Sequence, residues 1–185
     1  MDENELIKGC LKNSRESQKA LYDYYYNKMF GVCLRYSKDS DEAKEIIQEG
    51  FLNVFSNIKH LKGGDSLESW IKNIIVQTTI GHLGKNKQNL IVSTVYANST
   101  TVNHAENLSD REIILNIDKE RLLKAVQQLT PAYRKVFNLF VIEGYNHKTI
   151  AEMLDISEET SEISLAKAKF NLRKNIMQLS KQTNG

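Results

Sequence analysis

The stretch that decides the fold runs from Leu129 to Ile176: LTPAYRKVFNLFVIEGYNHKTIAEMLDISEETSEISLAKAKFNLRKNI. Thr130 followed by Pro131 predicts the start of a helix, because Thr accepts hydrogen bonds from free amides and Pro suits the first helical position. Gly144 is expected to end this helix in a left-handed conformation. The apolar residues that share one face between these two points are Val136, Phe137 and Phe140.

Two further helices are predicted after Gly144. Asn146 is placed to cap a helix from Lys148 to Leu154, and Ser157 to cap another after a tight turn. Their inward stripes are Ile150, Ala151 and Leu154, then Leu165, Ala168 and Leu172. A short helix, a short turn and a second helix is the helix-turn-helix pattern, although a small helical bundle without DNA binding gives the same spacing.

Three more helices are predicted upstream, each with apolar residues at intervals of three and four. The first spans Ser14 to Ser37, the second spans Glu42 to about His60 after a cap at 39–41, and the third follows a cap at Ser66. Their expected inward residues are Leu21, Tyr22, Tyr25, Met29, Val32, Cys33 and Tyr36; Ala43, Ile46, Ile47, Phe51, Val54, Phe55 and Ile58; and Leu67, Trp70, Ile71, Ile74 and Ile75.

Residues 86–110 are rich in Asn, Ser and Thr and have no helical rhythm, which is typical of a linker. A helix is expected to resume near Arg111. The predicted fold is therefore all-α, with two small helical domains at 1–88 and 111–185 joined by a flexible linker at 89–110.

Composition and charge narrow the class of protein. The chain has 185 residues, 41% hydrophobic and 26% charged, as expected for a globular protein. It has no apolar run near the ~18 residues that a membrane span needs, and its start lacks the layout of a signal peptide, so we expect it in the cytoplasm. Residues 119–185 carry 11 basic and 7 acidic side chains, a modest excess for a phosphate-contacting module.

The motifs of common enzymes and metal sites are absent from the sequence. Cys10 and Cys33 are too few for a disulfide scaffold or a zinc site. The four histidines are scattered, and HExxH, CxxC, a nucleophile elbow and a phosphate-binding GxxxxGK loop do not occur. We therefore predict no enzymatic activity, no catalytic residues, no metal and no cofactor.

Three strings carry a family resemblance: LYDYYYNKMFGVCLRYSKDSDEAKEIIQEGFLNVF, SLESWIKNIIVQT and LTPAYRKVFNLFVIEGYNHKTIAEMLDIS. Together, in this order and at this separation, they resemble a bacterial RNA polymerase sigma factor of the extracytoplasmic-function (ECF) type. The resemblance covers nearly the whole chain and is closest to members from Bacteroidetes-like bacteria. It implies a transcription initiation factor that binds the β′ and β subunits of core RNA polymerase and promoter DNA.

The resemblance also assigns three sets of residues. The set that docks on the coiled coil of the β′ subunit is Glu45, Gln48 and Glu49. The set that opens the promoter is Lys59, Lys62, Ser66, Lys72, Asn73, Gln77, Lys85 and Lys87. The set that binds the upstream promoter element, mostly on a recognition helix from Glu158 to about Asn175, is His147, Lys148, Thr160, Ser161, Glu162, Ser164, Lys167 and Lys169.

The chain departs from the family pattern where DNA is bound. Polar or basic residues are usual where it has Glu162, Ile163, Ser164 and Phe170, and the promoter-opening helix has Asn73, Gly81 and Gly84 at positions where basic or polar residues are common. These departures suggest that the chain recognises its promoter poorly alone. The hypothesis is that another DNA-targeting protein, sequence-specific or RNA-guided, places it on DNA; an anti-sigma factor is a further candidate partner.

Two other functions fit the same residues. A helix-turn-helix regulator without a polymerase role would form homodimers and fail to copurify with core polymerase. A sigma-like scaffold or decoy would bind core polymerase without supporting a transcript.

Overall fold

Helices account for all the regular structure in the part of the chain that the computed structural model describes, which is residues 3–61, 66–83 and 118–181. The chain divides into two compact units, Met1–Val92 and Ser93–Gly185. The all-α prediction with two helical domains is confirmed. The linker at 89–110 lies outside the described residues, so its boundaries stay a prediction.

The first unit contains α1 (Glu3–Leu11), α2 (Arg15–Tyr36), α3 (Ser40–Asn57), a 3₁₀ turn (Ile58–His60) and α4 (Leu67–Leu83). Side-chain caps form at the starts of α2 and α3, and the one at α3 was predicted. The Ser14 hydroxyl accepts a hydrogen bond from the Ser17 amide at 3.3 Å, and the Asp39 carboxylate accepts from two amides of the next turn. The short α1 was not predicted, and the helix predicted to continue to His60 tightens after Asn57.

The core of this unit lies where α2, α3 and α4 pack against one another. Gly50 of α3 permits the close approach of α4, because a Cβ at this position would collide with the Ile75 side chain. The stripes predicted from the sequence are buried, except that Tyr22 and Phe55 are half-buried. Trp70 is part of this core, which argues against a role in stacking on DNA bases.

Cys33 is fully buried in the same core, as the apolar stretch around it predicted. Burial raises the pKa of its thiol to about 12, because the charged thiolate would lose its hydration. Since the thiolate is the reactive form, Cys33 acts as a packing residue.

The second unit contains α5 (Lys119–Gln127), α6 (Pro131–Phe137), a π-helical turn (Asn138–Ile142), α7 (His147–Leu154) and α8 (Glu158–Lys181). The predicted helix start near Arg111 lies outside the described residues. The single helix expected from Pro131 to Gly144 changes to π-helical bonding at Asn138, whose side-chain amide donates to the Arg134 carbonyl.

The turns of the helix-turn-helix follow the sequence signals closely. Gly144 has φ 79° and ends the π-helical turn, and the Asn146 side chain accepts from the Thr149 amide at 2.8 Å to cap α7. Asp155 adopts φ 54° in the tight turn, and Ser157 accepts from the Thr160 amide at 3.0 Å. The prediction for Thr130 was wrong in one respect: it precedes α6 as expected, but its side chain caps no amide.

Helix α8 packs on α5, α6 and α7, so one long helix holds the second unit together. The Asn175 side chain fastens its far end by donating to the Ala125 carbonyl at 3.1 Å. The apolar residues that fill this core are Ala125, Val126, Leu129, Val136, Phe137, Leu139, Phe140, Ile150, Ala151, Leu165, Ala168 and Leu172.

Candidate functional site

The outer face of α3 carries the acidic residues predicted to dock on a partner. Glu45, Gln48 and Glu49 lie one turn apart on the side opposite the core, with Glu45 and Gln48 exposed and Glu49 half-buried. Leu52 continues the same face one turn further along and is 67% exposed. An exposed Leu among acidic side chains gives this face both charge and apolar area, the combination that protein interfaces use.

His82, near the end of α4, joins this acidic face. The His82 Nδ1 donates a hydrogen bond to the Glu49 carboxylate at 2.8 Å, while Nε2 lies 4.0 Å from the Glu45 carboxylate. The ring therefore ties the acidic residues of α3 to the neighbouring helix. The hydrogen bond limits the side-chain rotamers that Glu49 can adopt.

His82 and Leu52 were not predicted from the sequence to be parts of this face. His82 is 33 residues from Glu49 and their pairing depends on how α3 and α4 pack, which periodicity does not predict. The exposure of Leu52 was predictable from the sequence, because this residue falls on the polar side of a strongly amphipathic helix.

The residues predicted to open the promoter are spread over the end of α3 and the length of α4. Lys59 is exposed in the 3₁₀ turn, and Asn73 and Gln77 lie one turn apart on α4 with Lys72 beside them. Ser66 receives a long hydrogen bond of 3.5 Å from the Ser69 amide, which gives it a capping role. Lys62, Lys85 and Lys87 lie outside the described residues.

At the start of α8, burial corrects part of the predicted DNA-binding set. Ser161 is 0% and Ser164 is 8% exposed, so both hydroxyls face the interior of the unit and are withdrawn as DNA contacts. The resemblance assigned both residues by position along the helix, and in this chain those positions lie on its packed side.

His147 is also a packing residue. Its ring stacks on Phe140 at 4.3 Å between centroids, and its Nδ1 is hydrogen bonded to the Ser161 hydroxyl at 2.9 Å. These contacts connect the π-helical turn, the start of α7 and the start of α8. His147 therefore positions the recognition helix.

The remaining predicted contacts surround the exposed side of α8. Lys148, Glu162 and Lys167 are exposed, and Lys169 is half-buried. The Thr160 hydroxyl is hydrogen bonded to the Ser157 hydroxyl at 2.8 Å. Glu158, Glu159 and Glu162 bring three exposed carboxylates to the first turns of the helix, where basic side chains would attract phosphates.

The described residues contain neither a candidate metal site nor a helix able to span a membrane. They contain no group of three His, Cys, Asp or Glu side chains able to hold a metal ion. Among these residues there is also no helix with the length and apolar character to cross a membrane. An exposed acidic face on one helical unit and a helix-turn-helix on another indicate the class of protein: an all-helical factor of the kind that binds DNA.

Comparison with known families identifies both units. Residues 21–89 match Sigma-70 region 2 and residues 119–171 match Sigma-70, region 4. The chain therefore belongs to the sigma-70 family and is an RNA polymerase sigma factor of the ECF type. Members of this family are transcription initiation factors that act with core RNA polymerase on promoter DNA, and they are not enzymes.

Individual relatives are distant but span nearly the full chain. The ECF sigma factor SigM of Bacillus subtilis is 23% identical, over 83% of this chain and 91% of its own length. SigW of the same species is 22% identical, with 94% and 96% covered. The sigma factor RpoE of Bartonella quintana, solved with the anti-sigma factor NepR, shares the fold with a TM-score of 0.51 and 13% identity, over 86% and 96% of the two chains. The similarity to Bacteroidetes-like members stays a prediction.

Proposed function

We propose that this sigma factor docks on core polymerase through the acidic face of α3 and grips promoter DNA weakly through α8. A second factor, itself bound to DNA, then determines in large part which promoter is used. The observation that carries this proposal is the charge at the start of α8, where Glu158, Glu159 and Glu162 are all exposed. The docking face remains ordered, whereas the DNA-binding face has lost much of its basic character.

The docking part of the proposal rests on the face formed by Glu45, Gln48, Glu49 and Leu52. The carboxylates offer charge to a basic partner surface, and Leu52 adds exposed apolar area beside them. The partner that the family supplies for such a surface is the coiled coil of the β′ subunit. We infer that His82 holds Glu49 in the orientation that this contact needs.

Copurification with core polymerase tests this docking. The double variant Glu45→Lys, Gln48→Lys changes only exposed side chains and should reduce the amount of chain retained on core by about tenfold or more. Asp23→Lys, a charge reversal on the exposed side of α2, is the matched control and should be retained normally. Equal retention of the wild-type chain, the double variant and the control would show that this face does not dock on core polymerase. If none of the three is retained, a helix-turn-helix regulator is favoured.

The weak grip on DNA follows from phosphate electrostatics. Each phosphate that a protein neutralises contributes to affinity through counterion release, so replacing basic residues by acids weakens binding to every sequence. Lys148 and Lys167 are the exposed basic residues within the predicted DNA-binding set. Carboxylates at a helix start are also stabilised by the helix dipole, which explains how α8 tolerates three of them.

The partner that compensates for weak promoter recognition is proposed to be another DNA-targeting protein, either sequence-specific or RNA-guided. It would raise the local concentration of the polymerase complex at the correct site without requiring new base contacts from α8. An anti-sigma factor is a second proposed partner, because a sigma factor of the same fold was solved bound to one. We place this activity in the cytoplasm, with the polymerase.

A further inference from the structure

The outer side of α8 carries a stripe of exposed apolar residues. Ile163, Phe170 and Met177 are 47%, 69% and 63% exposed, and each is seven residues from the next. Seven residues fall about 20° short of two full helical turns, so the three side chains form one nearly straight line. The line is about 21 Å long at 1.5 Å per residue.

This stripe lies directly opposite the packed side of the helix. Leu165, Ala168 and Leu172 face the core, about half a turn around the helix from Phe170. Folding of the second unit therefore leaves the stripe uncovered. Exposed apolar side chains aligned in this way mark an interaction surface more often than isolated ones do.

A spacing of seven along a helix is the spacing at which a second helix packs. In a helix pair, apolar residues at this interval insert between side chains of the partner, and charged residues beside them choose the partner. We propose that the stripe of Ile163, Phe170 and Met177 binds an amphipathic helix of another protein, with acidic residues along the edges of its apolar side. This rests on the proposed dependence on a partner and adds the surface that the partner contacts.

The charged side chains beside the stripe favour an acidic partner helix. Lys167 and Lys174 are exposed and lie one after the other along one edge of the stripe. Glu or Asp residues on the facing edge of a partner helix would meet these two ammonium groups beside Phe170. At the other end, Glu159 lies one turn before Ile163 and would favour a basic residue on the partner.

The same charges disfavour a second copy of this chain. In a parallel pair each edge of one helix faces the opposite edge of the other, so Lys174 would lie beside Lys169 of the second copy, while Glu162 would offset this repulsion only beside Lys167. An antiparallel pair centred on Phe170 would bring Lys167 of one copy beside Arg173 and Lys174 of the other. Like charges at the edges of a helix pair are destabilising in either arrangement.

Duplex DNA fits the stripe less well than a helix does. Ile163, Phe170 and Met177 offer no hydrogen bonds to base edges, and apolar contact in the major groove is limited mainly to thymine methyl groups. Glu159 and Glu162 at one end of the stripe would also face phosphates.

Binding of two synthetic peptides to the full chain tests the proposal. Both peptides are helices of about 21 residues with Leu at positions a and d, and their edge positions are all Glu in one and all Lys in the other. The like charges keep each peptide from pairing with itself. By fluorescence anisotropy at low salt, the Glu peptide should bind about fivefold tighter than the Lys peptide, or more.

Variants of the stripe and of its edge make the test specific. Phe170→Ser should weaken binding of the Glu peptide by about tenfold or more, whereas Leu11→Ser, which removes an exposed Leu from α1, should leave it unchanged. The charge reversal Lys167→Glu, Lys174→Glu should make the Lys peptide the preferred one. Both sets of changes lie at exposed positions, and circular dichroism melting should show that each variant remains folded.

Several results would overturn the proposal. No peptide binding, equal binding of the two peptides, or no effect of Phe170→Ser would show that the stripe takes no acidic helix. If the chain sediments as a dimer and Phe170→Ser dissociates it, the stripe binds a second copy of the chain. If Phe170→Ser abolishes binding of the chain to a duplex of mixed sequence, the stripe binds DNA. Polymerase is absent from these assays, so their failure is distinguishable from failure of core docking or transcription.

Discussion

Polar side chains where α7 and α8 begin are of two kinds: some pack between the helices, and others are exposed to solvent. His147 and Ser161 form a hydrogen bond beneath the helix, while the neighbouring Lys148 is exposed. The family resemblance placed all three in one functional set. Only burial separates them, because residues with the same chemistry and similar spacing can face the core or the solvent.

Adjacent substitutions should separate these two roles. His147→Ala removes a hydrogen bond and a ring stack, so the free energy of unfolding of the second unit should fall by about 1–2 kcal/mol. Lys148→Ala should leave stability unchanged and reduce the salt dependence of duplex binding by about one counterion. Urea denaturation and anisotropy at several salt concentrations measure both quantities. A loss of salt dependence in His147→Ala with unchanged stability would make His147 a DNA contact.

The carboxylate of Glu162 should act as a repulsive charge toward DNA. Glu162→Lys replaces a negative by a positive charge on the exposed side of α8 and should raise affinity for a duplex of mixed sequence by about tenfold at low salt. Glu120→Lys makes the same change on α5 and serves as the control. Unchanged affinity in Glu162→Lys would mean that the acid only stabilises the helix start.

At the scale of elements, the helices of the second unit differ in how they begin. Asn146 accepts a hydrogen bond from the amide of the third residue of α7, whereas Thr130 makes no such bond at the start of α6. Pro131 explains part of this difference, because it lacks an amide and already has a backbone suited to the helix start.

Replacing each cap by Ala should give unequal losses. Asn146→Ala should lower the free energy of unfolding of the second unit by about 1 kcal/mol, because an amide of α7 loses its acceptor. Thr130→Ala should cost less than about 0.3 kcal/mol, since its side chain is exposed and caps nothing. Thermal unfolding compares the two. Equal destabilisation would show that Thr130 caps α6 in solution.

Much of the element structure was predictable because its signals are local. Apolar spacing gave α2, α3, α4, α7 and α8, and Asp39, Asn146 and Ser157 marked the starts of three of them. The π-helical turn at Asn138 was not predictable, since it depends on a side chain bonding to the preceding backbone inside a packed core. The acidic face could be predicted in part: Glu45, Gln48 and Glu49 lie on one helix, but His82 reaches the two carboxylates only through the packing of α4 on α3. Its role in docking stays a prediction.

At the scale of the whole molecule, we propose that the two units differ in how well they perform the two tasks of a sigma factor, polymerase binding and promoter recognition. The first has a packed core and an ordered acidic face, and the second keeps the helix-turn-helix but presents carboxylates and apolar side chains where DNA-binding residues are expected. A chain of this kind should bind core polymerase well and choose promoters poorly unless another factor brings it to them.

Run-off transcription with purified core polymerase tests this claim most directly. The full chain alone should give weak transcripts on ordinary promoter templates. Fusion to an unrelated DNA-binding domain, with its operator placed upstream of the start site, should raise the transcript by about tenfold or more through local concentration. Strong initiation by the unfused chain, equal to that of the fusion, would contradict the account, and so would the absence of any transcript from a fusion that still binds core.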